Sequence, residues 1–182
     1  MTRNHARPAY DAGVRSLDAL NLDEIVPQLY LGAYYAAKDP GVMQLYQIST
    51  ILTVAAGLPR VAAGFENVVV EVQDSEEQDM LPVLQQCIDT ISKSIEGGRG
   101  VLVHCWAGAS RSVVAVLAYL MQQRQHDAGA GTEEHSGSGC GCKMDLVSAF
   151  KLVVDRRSTA NPNPSFMRQL QAFYEMGCPH EL

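Results

Sequence analysis

Residues 104–112 read His104-Cys105-Trp106-Ala107-Gly108-Ala109-Ser110-Arg111-Ser112, directly after the apolar run Val101-Leu102-Val103. A strand thus delivers a cysteine into a short loop that ends on an arginine. That order builds a cup for a phosphate dianion. Backbone N–H groups between Cys105 and Arg111 can turn inward as an anion-binding nest. The helix that follows aims its positive end at the same point. The Arg111 guanidinium offers a planar fork for two phosphate oxygens. The candidate phosphate-binding set is therefore Trp106, Ala107, Gly108, Ala109, Ser110 and Arg111, with Cys105 at the floor as nucleophile.

The same cup makes the thiol reactive. The thiolate is the attacking form, and amide dipoles, a helix N-terminus and a guanidinium all favour it. Ser112 carries a hydroxyl that can donate to the sulfur as the thiolate leaves. His104 is expected to brace the loop by hydrogen bonds rather than act as a base. The plain alternative is a structural cysteine buried at a strand end, but an apolar site has no use for Arg111 or Gly108.

Phosphoester cleavage also needs a carboxylic acid to protonate the departing oxygen and later to take a proton from water. The loop Glu71-Val72-Gln73-Asp74-Ser75-Glu76-Glu77-Gln78-Asp79 holds the candidates. They are the carboxylates of Asp74, Glu76, Glu77 and Asp79. Asp79 is better placed to cap the next helix, and Glu76 and Glu77 read as solvated.

His-Cys-x5-Arg-Ser is similar to the signature of cysteine-dependent protein tyrosine phosphatases, and Ala-Gly-x-Ser-Arg-Ser resembles their dual-specificity branch. The resemblance runs over residues 22–176. Leu22 to Gly32 resembles the family's opening strand, and Tyr119-Leu120-Met121 the helix behind the loop. Asn161-Pro162-Asn163-Pro164-Ser165-Phe166, with Gln169-Leu170, resembles its closing motif. Ile-Leu-Thr-Val-Ala at 51–55 resembles the compact plant and algal members. The resemblance implies a tyrosine-phosphatase-like fold. It also implies hydrolysis of phosphotyrosine and phosphoserine/phosphothreonine on proteins through a phospho-cysteine, with mitogen-activated protein kinases as substrates. The implied catalytic set is Cys105, Arg111, Asp74 and Ser112, since the family's acid comes from this loop at a similar distance.

No cofactor or metal is called for, because the loop dipoles and Arg111 carry the charge stabilisation. The loop lacks the lysines that lipid phosphatases of the superfamily place there, and Ser110 stands where glucan phosphatases tend to carry glycine. Other readings are an inactive phosphopeptide-binding module, a lipid, glucan or RNA 5′-end phosphoesterase, and a sulfur-transfer or arsenate-reducing enzyme. The first loses the nucleophile, whereas Cys105, Arg111 and Asp74 are all present here. The last tends to lack a Ser-Arg-Ser run.

At 182 residues, with 47% apolar and 19% charged, the composition is that of one soluble domain. A net charge of −6 argues against non-specific nucleic-acid binding. No apolar run approaches the roughly 18 residues of a membrane span. The first residues lack a secretory apolar core. Arg3, Arg7 and Arg15 hint at a transit peptide, and Asp11 and Asp18 weaken that. Five cysteines at irregular spacing fit a reducing compartment, the cytoplasm or nucleus. A monomer is expected.

Around the loop, residues 1–20 read as a leader and 21–178 as the catalytic domain. Ile25–Leu31 reads as an edge strand punctuated by Pro27. Ala33–Lys38 and Val42–Tyr46 read as short helices around an Asp39-Pro40-Gly41 turn. Ile48–Val54 and Val68–Val72 are strands. An amphipathic helix spans 80–96, and a fully buried one holds Val113–Met121. Residues 127–142 form a Gly/Ser-rich loop insertion. Its Cys140 and Cys142, with His126 and His135, are a weak metal set, and an inert loop is the default. Leu146–Val154 restarts helical spacing. The last helix takes Asn163 as N-cap and Pro164 first. Arg156 and Arg157 read as a helix-terminal charge pair or as contacts to an acidic substrate. Cys87 and Cys178 read as a core and a tail residue, either of which could reach an oxidised Cys105. The alternation gives an α/β fold: a central, mainly parallel sheet of about five strands with helices on both faces. Cys105 falls past a strand's C-terminal end, where such folds bind anions.

Overall fold

Five strands make one sheet: β1 (Leu22–Val26), β2 (Leu29–Ala33), β3 (Ile48–Val54), β4 (Glu66–Val70) and β5 (Gly100–Cys105). Their order is β1-β2-β5-β3-β4, parallel throughout except for the antiparallel β1–β2 pair. The computed structural model describes residues 21–59, 61–123 and 144–179. The expected leader, the 127–142 insertion and the Cys140/Cys142/His126/His135 set lie outside them.

Side chains alternate across the sheet. Val101 and Val103 of β5 join Leu29, Leu31, Leu52 and Val54 in one core, and Leu102 joins Tyr30 and Ile51 in the other. The first core is roofed by four helices, α2 (Leu81–Glu96), α3 (Arg111–Gln122), α4 (Leu146–Arg156) and α5 (Pro164–Glu175). The second is covered by a 3-10 turn (Ala36–Lys38) and the short α1 (Pro40–Leu45). Helices thus lie on both faces. Every α3 residue from Ser112 to Gln122 is buried, which explains its uninterrupted apolar run.

Three local expectations are revised. The segment read as one edge strand is a hairpin, because Pro27 and Gln28 turn the chain and Val26 pairs with Leu29. Proline at the first central position and a φ of 69° at Gln28 suit a type II turn. β1 is the edge, and β2 sits inside the sheet beside β5. The Asp39-Pro40-Gly41 turn is the start of α1, whose N–H groups at Gly41 and Val42 bond the Asp39 carboxylate. β4 ends at Val70, so the chain is already loop at Val72.

Asp39→Ala removes that cap and is expected to cost about 1 kcal/mol of stability, read from urea unfolding.

Candidate active site

The loop after β5 is pinned by its carbonyls. All six from Cys105 to Ser110 have a donor. His104 Nδ1 bonds Cys105 O (3.1 Å) and the Tyr34 N–H bonds Trp106 O (3.1 Å). Arg157 Nη2 bonds Ala107 O (3.1 Å), and its Nε bonds Gly108 O (2.7 Å). Asn161 N–H bonds Ala109 O (2.7 Å), and Val114 N–H bonds Ser110 O (3.1 Å) in the first turn of α3. A trans peptide points its N–H opposite its C=O. Donors that turn the carbonyls outward therefore turn the following N–H groups into the cup. Gly108 N–H does reach the Cys105 sulfur, at 3.3 Å.

Glycine is required at 108. Its φ is 68°, and a Cβ there would lie 2.3 Å from Gly32 O and 2.7 Å from Arg157 Nη2. Only a bare Cα lets the loop back against β2 and the guanidinium.

Cys105 is 1% exposed. Burial pushes its thiol pKa up, but the Ser112 hydroxyl (3.2 Å) and the N–H groups of Ser112, Gly108 and Ser110 outweigh burial and hold it below the ordinary value. Cys87 is the control: equally buried, with no such donors, it is pushed up to about 12. Both are free thiols. Cys178, expected as a plain tail residue, is buried and disulfide-bonded.

His104 braces the loop as expected. It is fully buried, and burial lowers its pKa to about 4. The neutral ring donates from Nδ1 to a carbonyl, so Nε2 accepts from the Thr53 hydroxyl at 2.8 Å. Nothing in this arrangement makes it a base toward Cys105.

Asp74 stands at the mouth. Its Oδ1 accepts from Ser110 Oγ (2.7 Å) and Asn163 Nδ2 (3.2 Å), while Oδ2 lies 3.6 Å from Arg111 Nε. Arg111 also donates from Nη1 to Val72 O (3.3 Å), and its buried Nε has no hydrogen-bond acceptor. The structure thus gathers Cys105, Ser112, Arg111 and Asp74 around one loop. Of the rivals, Asp79 accepts from Leu81 N–H at the start of α2 (3.1 Å), although Met80 rather than Asp79 holds the N-cap position, and Glu76 and Glu77 are exposed.

Two features escaped the sequence reading. Arg157, read as a surface charge, is 3% exposed and bonds Asp23 Oδ2 (2.7 Å) and Asn21 Oδ1 besides the two loop carbonyls. Only Arg156 faces solvent. The closing motif also anchors the Asp74 loop: Asn163 Nδ2 bonds Ser75 O, Ser165 Oγ bonds Glu76 O, and Gln169 bonds Gln78 O and Met80 N–H. Asn163 still caps α5 through Phe166 N–H. Its polar neighbours at 165 and 169 were the available signal.

The family model for the dual specificity phosphatase catalytic domain matches residues 29–131. Dual specificity protein phosphatase 1B of Arabidopsis thaliana is 36% identical over 84% of this chain and 81% of its own length. The chain belongs to the dual specificity phosphatase family. The Arabidopsis dual specificity protein phosphatase 1 is also 36% identical, covering 83% of this chain and 68% of that one. A mouse putative dual specificity phosphatase complexed with zinc tungstate superposes with a TM-score of 0.75 at 26% identity, over 91% of this chain and 94% of that one. Human DUSP28 gives 0.73 at 27%, over 87% and 96%. This phosphatase is thus a protein tyrosine/serine/threonine phosphatase whose substrates are phosphorylated proteins. Among its described residues no helix is long and apolar enough to cross a membrane.

Two outcomes follow from the phosphatase's loop contacts. Arg157→Met releases the carbonyls of Ala107 and Gly108. It should raise the pH midpoint of Cys105 alkylation by iodoacetamide and cost about 2 kcal/mol. Arg157→Lys, a point donor, should fall between it and wild type. For His104, the folded pKa near 4 lies below the unfolded value of about 6.5. The unfolded chain therefore takes the proton first, and stability falls as pH drops through that window, by on the order of 3 kcal/mol. Urea midpoints between pH 7 and pH 4 check this, and His104→Asn should flatten the dependence.

Proposed function

We propose that the phosphatase works through a phospho-cysteine. The Cys105 thiolate attacks phosphorus while the loop N–H groups and Arg111 hold the equatorial oxygens. The P–O ester bond breaks, and Asp74 gives the leaving oxygen a proton. Water then attacks the phospho-cysteine and passes a proton to Asp74. The S–P bond breaks, releasing inorganic phosphate and the thiolate, which the Ser112 hydroxyl stabilises.

The observation that carries this reading is the pair of buried cysteines. Cys87 is driven up by burial, whereas Cys105 is held down by the donors of its loop. A thiol prepared as an anion inside a ring of N–H groups suits nucleophilic attack on a phosphate. Arg111 Nε, which has an ion-pair neighbour but no hydrogen-bond acceptor, supports it, since a phosphate oxygen would be that acceptor. Tungstate is a tetrahedral oxyanion of phosphate's kind, and the similar mouse protein was solved with it.

As substrate we propose a phosphorylated mitogen-activated protein kinase, the class the family resemblance implies. The enzyme would act as a monomer and use no cofactor. As its place of action we propose the cytoplasm or nucleus, where a nucleophilic thiol stays reduced; the Cys178 disulfide is the observation that argues the other way.

Cys105→Ser should abolish turnover of p-nitrophenyl phosphate, and retained activity there sinks the mechanism. Asp74→Asn should lower kcat by about 100-fold or more, with phosphoprotein captured by the Asp74→Ala/Cys105→Ser double variant. Ser112→Ala removes a donor to the thiolate. It should move the acid limb of the pH–kcat/KM profile upward and slow breakdown of the phospho-enzyme, seen as a burst in stopped-flow assays.

A further inference from the structure

The rim of the cup is low on most sides, since Ala107, Gly108 and Ala109 carry nothing beyond a Cβ. One side is high. Trp106 is 54% exposed and Tyr35 is 70% exposed, and they are the only exposed large aromatic side chains among the described residues. The sheet register puts them together. Ala33 pairs with Cys105, so Tyr34 and Trp106 are the first residues past the ends of β2 and β5. The buried Tyr34 ring lies nearly parallel to the indole, with centroids 5.6 Å apart at 11°. Tyr35 tilts against the indole at 6.4 Å and 59°. Lys38 Nζ sits 5.5 Å from the Tyr34 ring centre. The indole is therefore held in place from behind while part of it stays open to solvent beside the nucleophile.

We infer that Trp106 and Tyr35, backed by Tyr34, form a subsite for the aromatic ring of phosphotyrosine and bias the phosphatase toward aryl phosphoesters. This rests on Cys105 being the nucleophile. In phosphotyrosine the ester oxygen is bonded directly to the ring, so a phosphate seated in the cup brings that ring to the rim. Phosphoserine and phosphothreonine bring a saturated carbon and then backbone, with no π face to offer. A tilted or offset ring pair is worth about a two- to tenfold factor.

The test uses two peptides of one sequence, differing only in phosphotyrosine or phosphothreonine. In wild type the ratio of kcat/KM values favours phosphotyrosine. Trp106→Ala should cut that ratio about two- to tenfold, Tyr35→Ala by less, and Trp106→Phe should restore most of it. An unchanged ratio in both alanine variants overturns the subsite. Because Trp106 is the only tryptophan, its fluorescence supplies a second readout that needs no change at the wall. In Cys105→Ser protein, the phosphotyrosine peptide should change the emission at saturation and the phosphothreonine peptide should leave it near the apo value. Equal responses count against the subsite. Retained turnover of both peptides by Cys105→Ser would instead remove the nucleophile reading beneath it.

Discussion

Everything at this site depends on holding six consecutive carbonyls outward. Left to itself a loop of this length would satisfy its N–H groups and carbonyls in water or within a turn. Here the donors come from four separate places: the imidazole of His104, the backbone after β2, the Arg157 guanidinium and the backbone of Asn161, with α3 closing the last. The inward N–H groups are what remains once the carbonyls are spoken for. The N–H groups of Gly108, Ser110 and Ser112 meet one sulfur, and the sheet has already fixed where Cys105 stands, paired with Ala33 on β2. The electrostatics of the cup is thus a product of tertiary structure. No residue inside the loop makes it alone, and an isolated peptide of the same sequence would have neither the geometry nor the lowered thiol pKa.

That constraint divides what could be read in the sequence from what could not. The spacing of Cys105 and Arg111 after an apolar run is local, and so are the cap at Asn163, the strand Ile48–Val54 and the fully apolar helix behind the loop; all of these were legible. The mainly parallel sheet follows from the alternation of strands and helices, whereas its order, β1-β2-β5-β3-β4, was not read from the sequence. Arg157 was not legible. Its partners at Gly108, Asp23 and Asn21 lie 49, 134 and 136 residues away. At a helix end an arginine normally complements the dipole in solvent, and nothing nearby in sequence signals that this one is buried. The Pro27 hairpin was missed for a different reason. A β-rich run on both sides of one proline fits an edge strand as well as a turn, and the left-handed φ at Gln28, a residue type that seldom adopts it, gives no composition cue.

The two buried cysteines show why residue type is a poor guide to reactivity. Both are buried, and both lose water. For Cys87 the loss acts alone, so the neutral thiol wins. For Cys105 a hydroxyl and several backbone N–H groups replace the lost water, and replacement by fixed dipoles favours the anion more than water did. The difference is one of position at a strand end against mid-helix, where N–H groups are already taken by the helix ladder. A strand that stops at Cys105 leaves the next N–H groups uncommitted. The start of α3 leaves several more.

The Asp74 loop is tied to the cup by the same economy of contacts. Ser110 Oγ donates to Asp74 and accepts from the Asn163 N–H, so one hydroxyl links the cup, the proposed acid and the cap of α5. Asn163 repeats the link through its side chain, which accepts from Phe166 N–H at one end and donates to Asp74 and Ser75 at the other. A displacement of α5 is then felt first at Asp74, and a displacement of Asp74 is felt at the cup through Ser110. Arg111 closes the circuit, because its guanidinium lies against both Asp74 Oδ2 and Val72 O. In the proposed mechanism phosphate is a further acceptor for this guanidinium, which already donates to Val72 O and lies 3.6 Å from Asp74 Oδ2. Asp74 Oδ2, which faces the guanidinium, makes no hydrogen bond in this network, and in the proposed mechanism it is the oxygen that serves the leaving group.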